Sequence, residues 1–202
     1  MADGGEEGIT RRAVLRDGAA VTFAVLASGP VSGLGQITVA LAQDGNAFLD
    51  PKELETLRAL VDRFIPGQPE DPDPGAVAAG CAEAIDGLLG AFATDPPRIY
   101  AGAPFSDRAG SPVNHFTRFL RLDAYEEKAW RLRIEGSSGD PDLEFNGPVT
   151  GWQTVYRKGL AALNAAAGGN FAALPGPARD LALRNADGGE VAELLDIAWP
   201  HT

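Results

Sequence analysis

Residues 50–66 read DPKELETLRALVDRFIP, and this stretch contains every signal that one α-helix needs. Asp50 is a good N-cap residue, Pro51 suits the first helical position, and Glu53 can complete a capping box. Apolar residues then recur with a helical period until Pro66 ends the run, at Leu54, Leu57, Leu60, Val61 and Phe64. The stretch therefore predicts an amphipathic helix with one buried face.

A second helix is predicted to open at Pro74-Gly75 and to stop at Asp95-Pro96-Pro97. Its apolar stripe consists of Val77, Cys81, Ile85, Leu88, Leu89 and Phe92. Because the single cysteine lies on this stripe, a buried thiol is the favoured interpretation. A disulfide with another subunit is the alternative for an odd cysteine in an oxidising compartment.

The rest of the chain also indicates helices and loops. Asp123 and Glu126 offer a capping box for a third helix that ends at Gly136, and a fourth helix begins at Trp152 and ends before Gly168-Gly169. Two shorter helical runs cover 178–184 and 190–199. No stretch alternates as a strand would. The predicted fold is all-α, a small irregular helical bundle with long ordered loops.

Composition limits the possible functions. The 202 residues contain 17 Lys and Arg against 28 Asp and Glu, a net charge of -11, which is typical of a soluble single domain and argues against a nucleic-acid partner. One cysteine and two histidines cannot supply a disulfide framework, a structural zinc site or an iron–sulfur cluster. Any redox cofactor of that kind would have to come from another chain.

The first 42 residues resemble an export signal. Arg11 and Arg12 precede Val14, Leu15 and Arg16, in the pattern of a twin-arginine motif. No charged residue occurs between Asp17 and Asp44, and the stretch closes on Ala40-Leu41-Ala42, a small-x-small cleavage site. We expect a twin-arginine signal over 1–42 and a mature helical domain over 43–202. A plain transmembrane helix is the alternative, which the glycines and Pro30 disfavour.

Two loops contain apolar residues that suggest a binding role. The segment from Thr94 to Asn114 is longer than most loops of compact domains, and it includes Ile99, Tyr100 and Phe105. Phe145 lies in the loop between the third and fourth helices. We predict that these four side chains bind a partner protein.

No constellation of catalytic residues is recognisable. His115 and His201 lack a Ser or Cys partner in a nucleophile motif, and Glu126-Glu127 are adjacent on a helix and point apart. The glycine-rich stretch 136–139 lacks the preceding strand of a phosphate-binding loop. Arg131 and Arg133 flank Trp130, which is typical of arginines whose stems lie along a buried ring. No catalytic, cofactor-binding or metal-binding residue is predicted.

Several phrases, in order, resemble the gluconate 2-dehydrogenase subunit 3 family. They are the helix ending in Asp62-Arg63-Phe64-Ile65-Pro66, the Pro74-Gly75-Ala76 that follows, and the Gly102-Ala103-Pro104-Phe105-Ser106 loop. The segments 129–136 and 151–157 add to the likeness, which covers nearly all of 46–202. The family's C-terminal Pro-x-Tyr-Gly-Gly-Asn phrase is absent after His201-Thr202.

The resemblance implies a cofactor-free small subunit of a membrane-associated dehydrogenase complex for sugars or sugar acids. FAD would reside in a large GMC-type subunit, and haem c in a third, cytochrome subunit. The small subunit would supply the export signal to the twin-arginine translocase for both chains. A free-standing exported helical assembly chaperone or binding protein is the alternative. A stable partner subunit should leave its apolar loop residues exposed, whereas a chaperone or ligand-binding protein should bury them or line a pocket with them.

Overall fold

The computed structural model describes residues 48–72, 74–99, 119–186 and 188–202. Within these ranges the chain forms six α-helices and no strand, apart from one isolated antiparallel bridge between Gly136 and Thr150. The helices are α1 (Pro51–Phe64), α2 (Cys81–Leu89), α3 (Ala124–Glu135), α4 (Trp152–Ala166), α5 (Gly176–Asn185) and α6 (Gly189–His201), and a 3₁₀ turn (Ala91–Ala93) follows α2. The all-α prediction is confirmed. No helix of these ranges has the length and apolarity to cross a membrane.

Helix α1 begins with the predicted capping box. Asp50 Oδ1 accepts hydrogen bonds from the backbone N–H groups of Lys52 and Glu53, both at 2.8 Å, and Glu53 Oε2 accepts from Asp50 N–H at 2.9 Å. These bonds satisfy N–H groups that the first turn leaves without helical partners. The predicted apolar face is buried at Leu57, Leu60 and Val61.

The segment that precedes α1 is held by two distant side chains. Asp86 of α2, which is buried, accepts hydrogen bonds from the N–H groups of Phe48 at 2.9 Å and Leu49 at 2.7 Å. Arg157 of α4 donates to the Phe48 carbonyl at 3.0 Å, and its guanidinium lies 4.0 Å above the Phe48 ring. Loss of solvent raises the pKa of Asp86, and the two N–H donors oppose that rise.

Helix α2 begins at Cys81, so the predicted start at Pro74-Gly75 is wrong. Residues 76–80 form turns, and Gly80 at φ 73° has a left-handed conformation that interrupts a helix. A Cβ on Gly75 would overlap the backbone of Gly67 and Ile65, because the chain runs directly against the residues that follow α1. Val77 is consequently 46% exposed instead of lying on the buried stripe.

Helix α4 lies at the centre of the main hydrophobic core. It contacts α1, α3, α5 and α6, and the α6 contact is the most extensive. Tyr156, Leu160 and Leu163 of α4 are completely buried, as is Phe171 in the turn that follows. At Gly159 a Cβ would overlap the Leu194 side chain, so the absence of a side chain lets α6 approach closely.

A smaller hydrophobic cluster lies where α2 and α3 meet. It is formed by Leu88, Ala91, Ile99 and Ile134, and Leu120 N–H donates to the Ile99 carbonyl at 2.7 Å. Ile134 is the one buried residue of α3. Helix α3 is therefore attached to the bundle by a narrow apolar edge, and most of its surface faces solvent.

Candidate partner-binding site

The connection between α3 and α4 is a closed loop, residues 137–150, which we call the Phe145 loop. Ser137 N–H donates to the Val149 carbonyl at 3.0 Å, next to the bridge between Gly136 and Thr150. Gly136 has a φ of 85°, and a Cβ on Gly151 would overlap the backbone of Glu135 and Gly136. Two glycines thus let the two ends of the loop touch.

Ser137 and Glu144 brace the inside of the Phe145 loop. The Ser137 hydroxyl, which is buried, donates to Glu144 Oε1 at 2.6 Å and accepts from Val149 N–H at 2.9 Å. The same carboxylate oxygen accepts from Gly139 N–H at 3.0 Å. Two backbone turn hydrogen bonds, each 2.9 Å long, add to these contacts. Leu143 N–H donates to the Asp140 carbonyl, and Gly147 N–H donates to the Glu144 carbonyl. The loop is therefore an ordered structure.

Phe145 projects from this braced loop into solvent. Its side chain is 94% exposed, and Val149 on the same loop is 40% exposed. Asp140 and Asp142, five and three residues before Phe145 in the chain, are also exposed, and the sequence has no Lys or Arg between Arg133 and Arg157. The exposed part of the loop therefore combines an apolar tip with these two carboxylates, which we call the acidic rim. The predicted exposure of Phe145 is confirmed; its contact with a partner stays a prediction.

The other predicted partner-binding residues behave differently. Ile99 is fully buried in the smaller cluster, so its predicted exposure is wrong. Its β-branched side chain fills the space between α2 and α3, which a reading of the loop as a separate unit could not foresee. Tyr100 and Phe105 lie outside the described residues, as do His115 and the export-signal residues Arg11, Arg12, Val14, Leu15, Arg16, Ala40 and Ala42.

Tyr125 is an exposed aromatic residue that sequence reasoning missed. It is 87% exposed in the first turn of α3. The sequence did contain a signal for this exposure. Tyr125 lies nine residues before the buried Ile134, which places it on the opposite face of the helix. Smaller exposed fractions occur at Leu181 (52%), Phe119 (44%) and Trp199 (37%).

His201 is part of an aromatic cluster in which Tyr156 is buried and Trp152 and His201 are half-buried. Its Nδ1 lies 2.9 Å from the Tyr156 hydroxyl, and its ring meets Trp152 edge to face at a centroid distance of 4.6 Å. Burial lowers the pKa of His201 to about 4 and raises the pKa of Tyr156 well above its usual range. A neutral His201 in these surroundings hydrogen-bonds and packs, which is a structural role.

The arginines around Trp130 also have structural contacts. Arg131 forms ion pairs with Glu127 at 3.2 Å and Glu135 at 3.0 Å, and its guanidinium lies 4.2 Å from the centre of the Phe92 ring. Arg133 lies 5.5 Å above the ring of Trp130. Each guanidinium lies over an aromatic face, but only Arg133 covers Trp130, and both Trp130 and Phe92 are half-buried and not buried as the sequence predicted.

Cys81 packs against the main core at the start of α2. Its thiol lies 3.5 Å from the Thr202 carbonyl, and burial raises the pKa of Cys81 to about 11. A thiol with a raised pKa is a weak nucleophile at neutral pH. The thiol lies on the core side, as the apolar stripe predicts, but Cys81 is half-buried, so the prediction of a buried thiol is confirmed only in part.

The described residues contain no group of three His, Cys, Asp or Glu side chains able to hold a metal ion. What they contain is a helical bundle and an ordered loop with an exposed aromatic tip.

The comparison with protein families agrees with the resemblance seen in the sequence. The family described as Gluconate 2-dehydrogenase subunit 3 matches residues 51–201, and the chain belongs to this family. Neither the curated proteins nor the solved structures contain a match. Members of this family are described as subunits of a gluconate dehydrogenase complex.

Proposed function

We propose that this chain is the non-catalytic small subunit of a gluconate- or glucose-type flavoprotein dehydrogenase complex. It binds the FAD-containing GMC-type large subunit and supplies a twin-arginine signal that exports both chains together. The electrons pass from FAD to the haem c of a cytochrome subunit, so this chain needs no cofactor of its own. The complex then works in the periplasm or on the outer face of the cytoplasmic membrane.

The observation that carries this proposal is the family match over residues 51–201. Phe145 and Val149 add support, because two exposed apolar side chains on one ordered loop are available for contact with another protein. The export part is supported by the sequence alone, through Arg11-Arg12 and the uncharged stretch that follows.

The test is co-export with the flavoprotein subunit. The full chain and the large subunit are expressed together, and both are measured in periplasmic and cytoplasmic fractions. Replacing Arg11 and Arg12 by Lys should leave both chains in the cytoplasm, whereas replacing Arg16 alone by Lys should permit export. Normal export of both chains by the double variant would contradict the proposal.

A free-standing exported assembly chaperone or binding protein is the second candidate. The burial of Ile99 favours it, because a chaperone would bury its apolar loop residues when alone. The two candidates differ after export, since a subunit stays with the flavoprotein in constant proportion and a chaperone leaves it. Gel filtration of the exported material, followed by quantification of both chains, distinguishes them.

A further inference from the structure

We infer that the Phe145 loop is the anchor by which this chain docks on the flavoprotein subunit, in an apolar socket rimmed by Lys and Arg. The inference rests on the proposed function and adds the surface and the chemistry of its partner.

Exposure and order occur together in this loop. Phe145 is the most exposed of the large apolar residues in the described part of the chain, yet its neighbours are held by hydrogen bonds of 2.6–3.0 Å. An ordered segment loses little conformational freedom on binding, so more of its contact energy appears as affinity. Aromatic side chains that fill a pocket are typical binding hot spots.

The negative charge of the loop indicates a partner surface of positive charge. Residues 137–150 include Asp140, Asp142 and Glu144 and no Lys or Arg, and within the described residues none of the three carboxylates forms an ion pair. Asp140 and Asp142 are exposed, whereas Glu144 accepts hydrogen bonds inside the loop, so a partner surface that carries Lys and Arg would complement these two carboxylates. A second copy of this chain, with a net charge of -11, would repel the loop, and so would anionic lipid or nucleic acid.

The experiment compares two exposed aromatic residues. The full chain is co-expressed with the flavoprotein subunit, and the affinity of the purified chains is measured for wild type, Phe145→Ala and the matched control Tyr125→Ala. We expect Phe145→Ala to weaken binding at least about tenfold and Tyr125→Ala to change it less than about twofold. Circular dichroism melting should show both variants folded, since both side chains are exposed.

A third variant tests the charge. Asp142→Asn should weaken binding at low salt and reduce the dependence of affinity on salt, because one carboxylate is lost from the rim. An unchanged salt dependence would overturn the basic socket.

The remaining outcomes separate this inference from the proposed function. If wild type does not bind the flavoprotein subunit, the proposed function fails. If wild type binds and Phe145→Ala binds equally well, the proposed function stands and the anchor is wrong. If Phe145→Ala instead abolishes self-association of the isolated chain, the loop is a contact between copies and the inference is overturned.

Discussion

At the scale of single residues, half-buried His201 is placed so that it stays uncharged. His201 lies against Trp152 and Tyr156, and its ring nitrogen at 2.9 Å from the Tyr156 hydroxyl replaces a bond to water. Protonation would place a positive charge among aromatic rings with little water. The pKa of His201 is therefore lowered to about 4 by burial.

This shift predicts a loss of stability in acid. The unfolded chain takes up a proton at His201 near pH 6.5, whereas the folded chain does so only near pH 4. Between these values the unfolded state binds more protons, so the free energy of unfolding falls as the pH falls, by at most about 3 kcal/mol.

Urea unfolding of wild type and His201→Gln at pH 7 and pH 4.5 checks this prediction. Gln cannot titrate, so its variant should lose less stability between the two pH values, although it starts from a lower stability. Carboxylates elsewhere contribute equally to both proteins. If wild type and variant lose the same free energy of unfolding between pH 7 and pH 4.5, protonation of His201 does not contribute to the loss of stability in acid.

At the scale of helices, the contact between α4 and α6 depends on one missing side chain. A Cβ at Gly159 would overlap Leu194 and come within 2.9 Å of the Glu190 carbonyl oxygen. Glycine in a helix interior costs up to about 1 kcal/mol relative to alanine, so a glycine here is explained by packing and not by helix propensity.

Gly159→Ala is predicted to destabilise the protein by about 1–3 kcal/mol, because the gain in helix propensity is smaller than the cost of forcing α6 away. Thermal unfolding of the mature chain measures the change. Gly188→Ala is the control: nothing lies within 4 Å of a Cβ there, so a loss below about 1 kcal/mol is expected. A Gly159→Ala variant as stable as this control would show that the two helices can move apart freely.

At the scale of the whole molecule, the His, Cys and Arg side chains discussed above have structural surroundings. His201 is held neutral by its surroundings, Cys81 has a raised thiol pKa, and Arg131 and Arg133 lie over aromatic rings. The chain is expected to take part in oxidation only within the complex.

The isolated mature chain, residues 43–202, is therefore predicted to have no dehydrogenase activity. It is purified without its partner and assayed on gluconate and glucose with a dye as electron acceptor and added FAD. The complex with the flavoprotein subunit serves as the positive control. Turnover by the isolated chain that survives removal of contaminating flavoprotein would contradict the prediction.

Local signals in the sequence were sufficient for the helices whose ends are marked by capping residues. Asp50 with Glu53 and Asp123 with Glu126 form their capping boxes as predicted, because a capping box uses only residues within one turn. The same holds for the all-α class, since helical periodicity is a property of neighbouring residues. The family resemblance was also visible in the sequence, as an ordered set of short phrases.

Only the tertiary structure decided features that depend on residues far apart in the chain. The chain at Gly75 passes so close to Gly67 that a Cβ would overlap it, and α2 begins only after the left-handed Gly80. The burial of Ile99 results from its packing with Leu88 of α2 and Ile134 of α3. Phe145 and Ile99 were equivalent apolar loop residues in the sequence. Their fates differ because burial depends on which surfaces the fold brings together, and a local pattern does not contain that information.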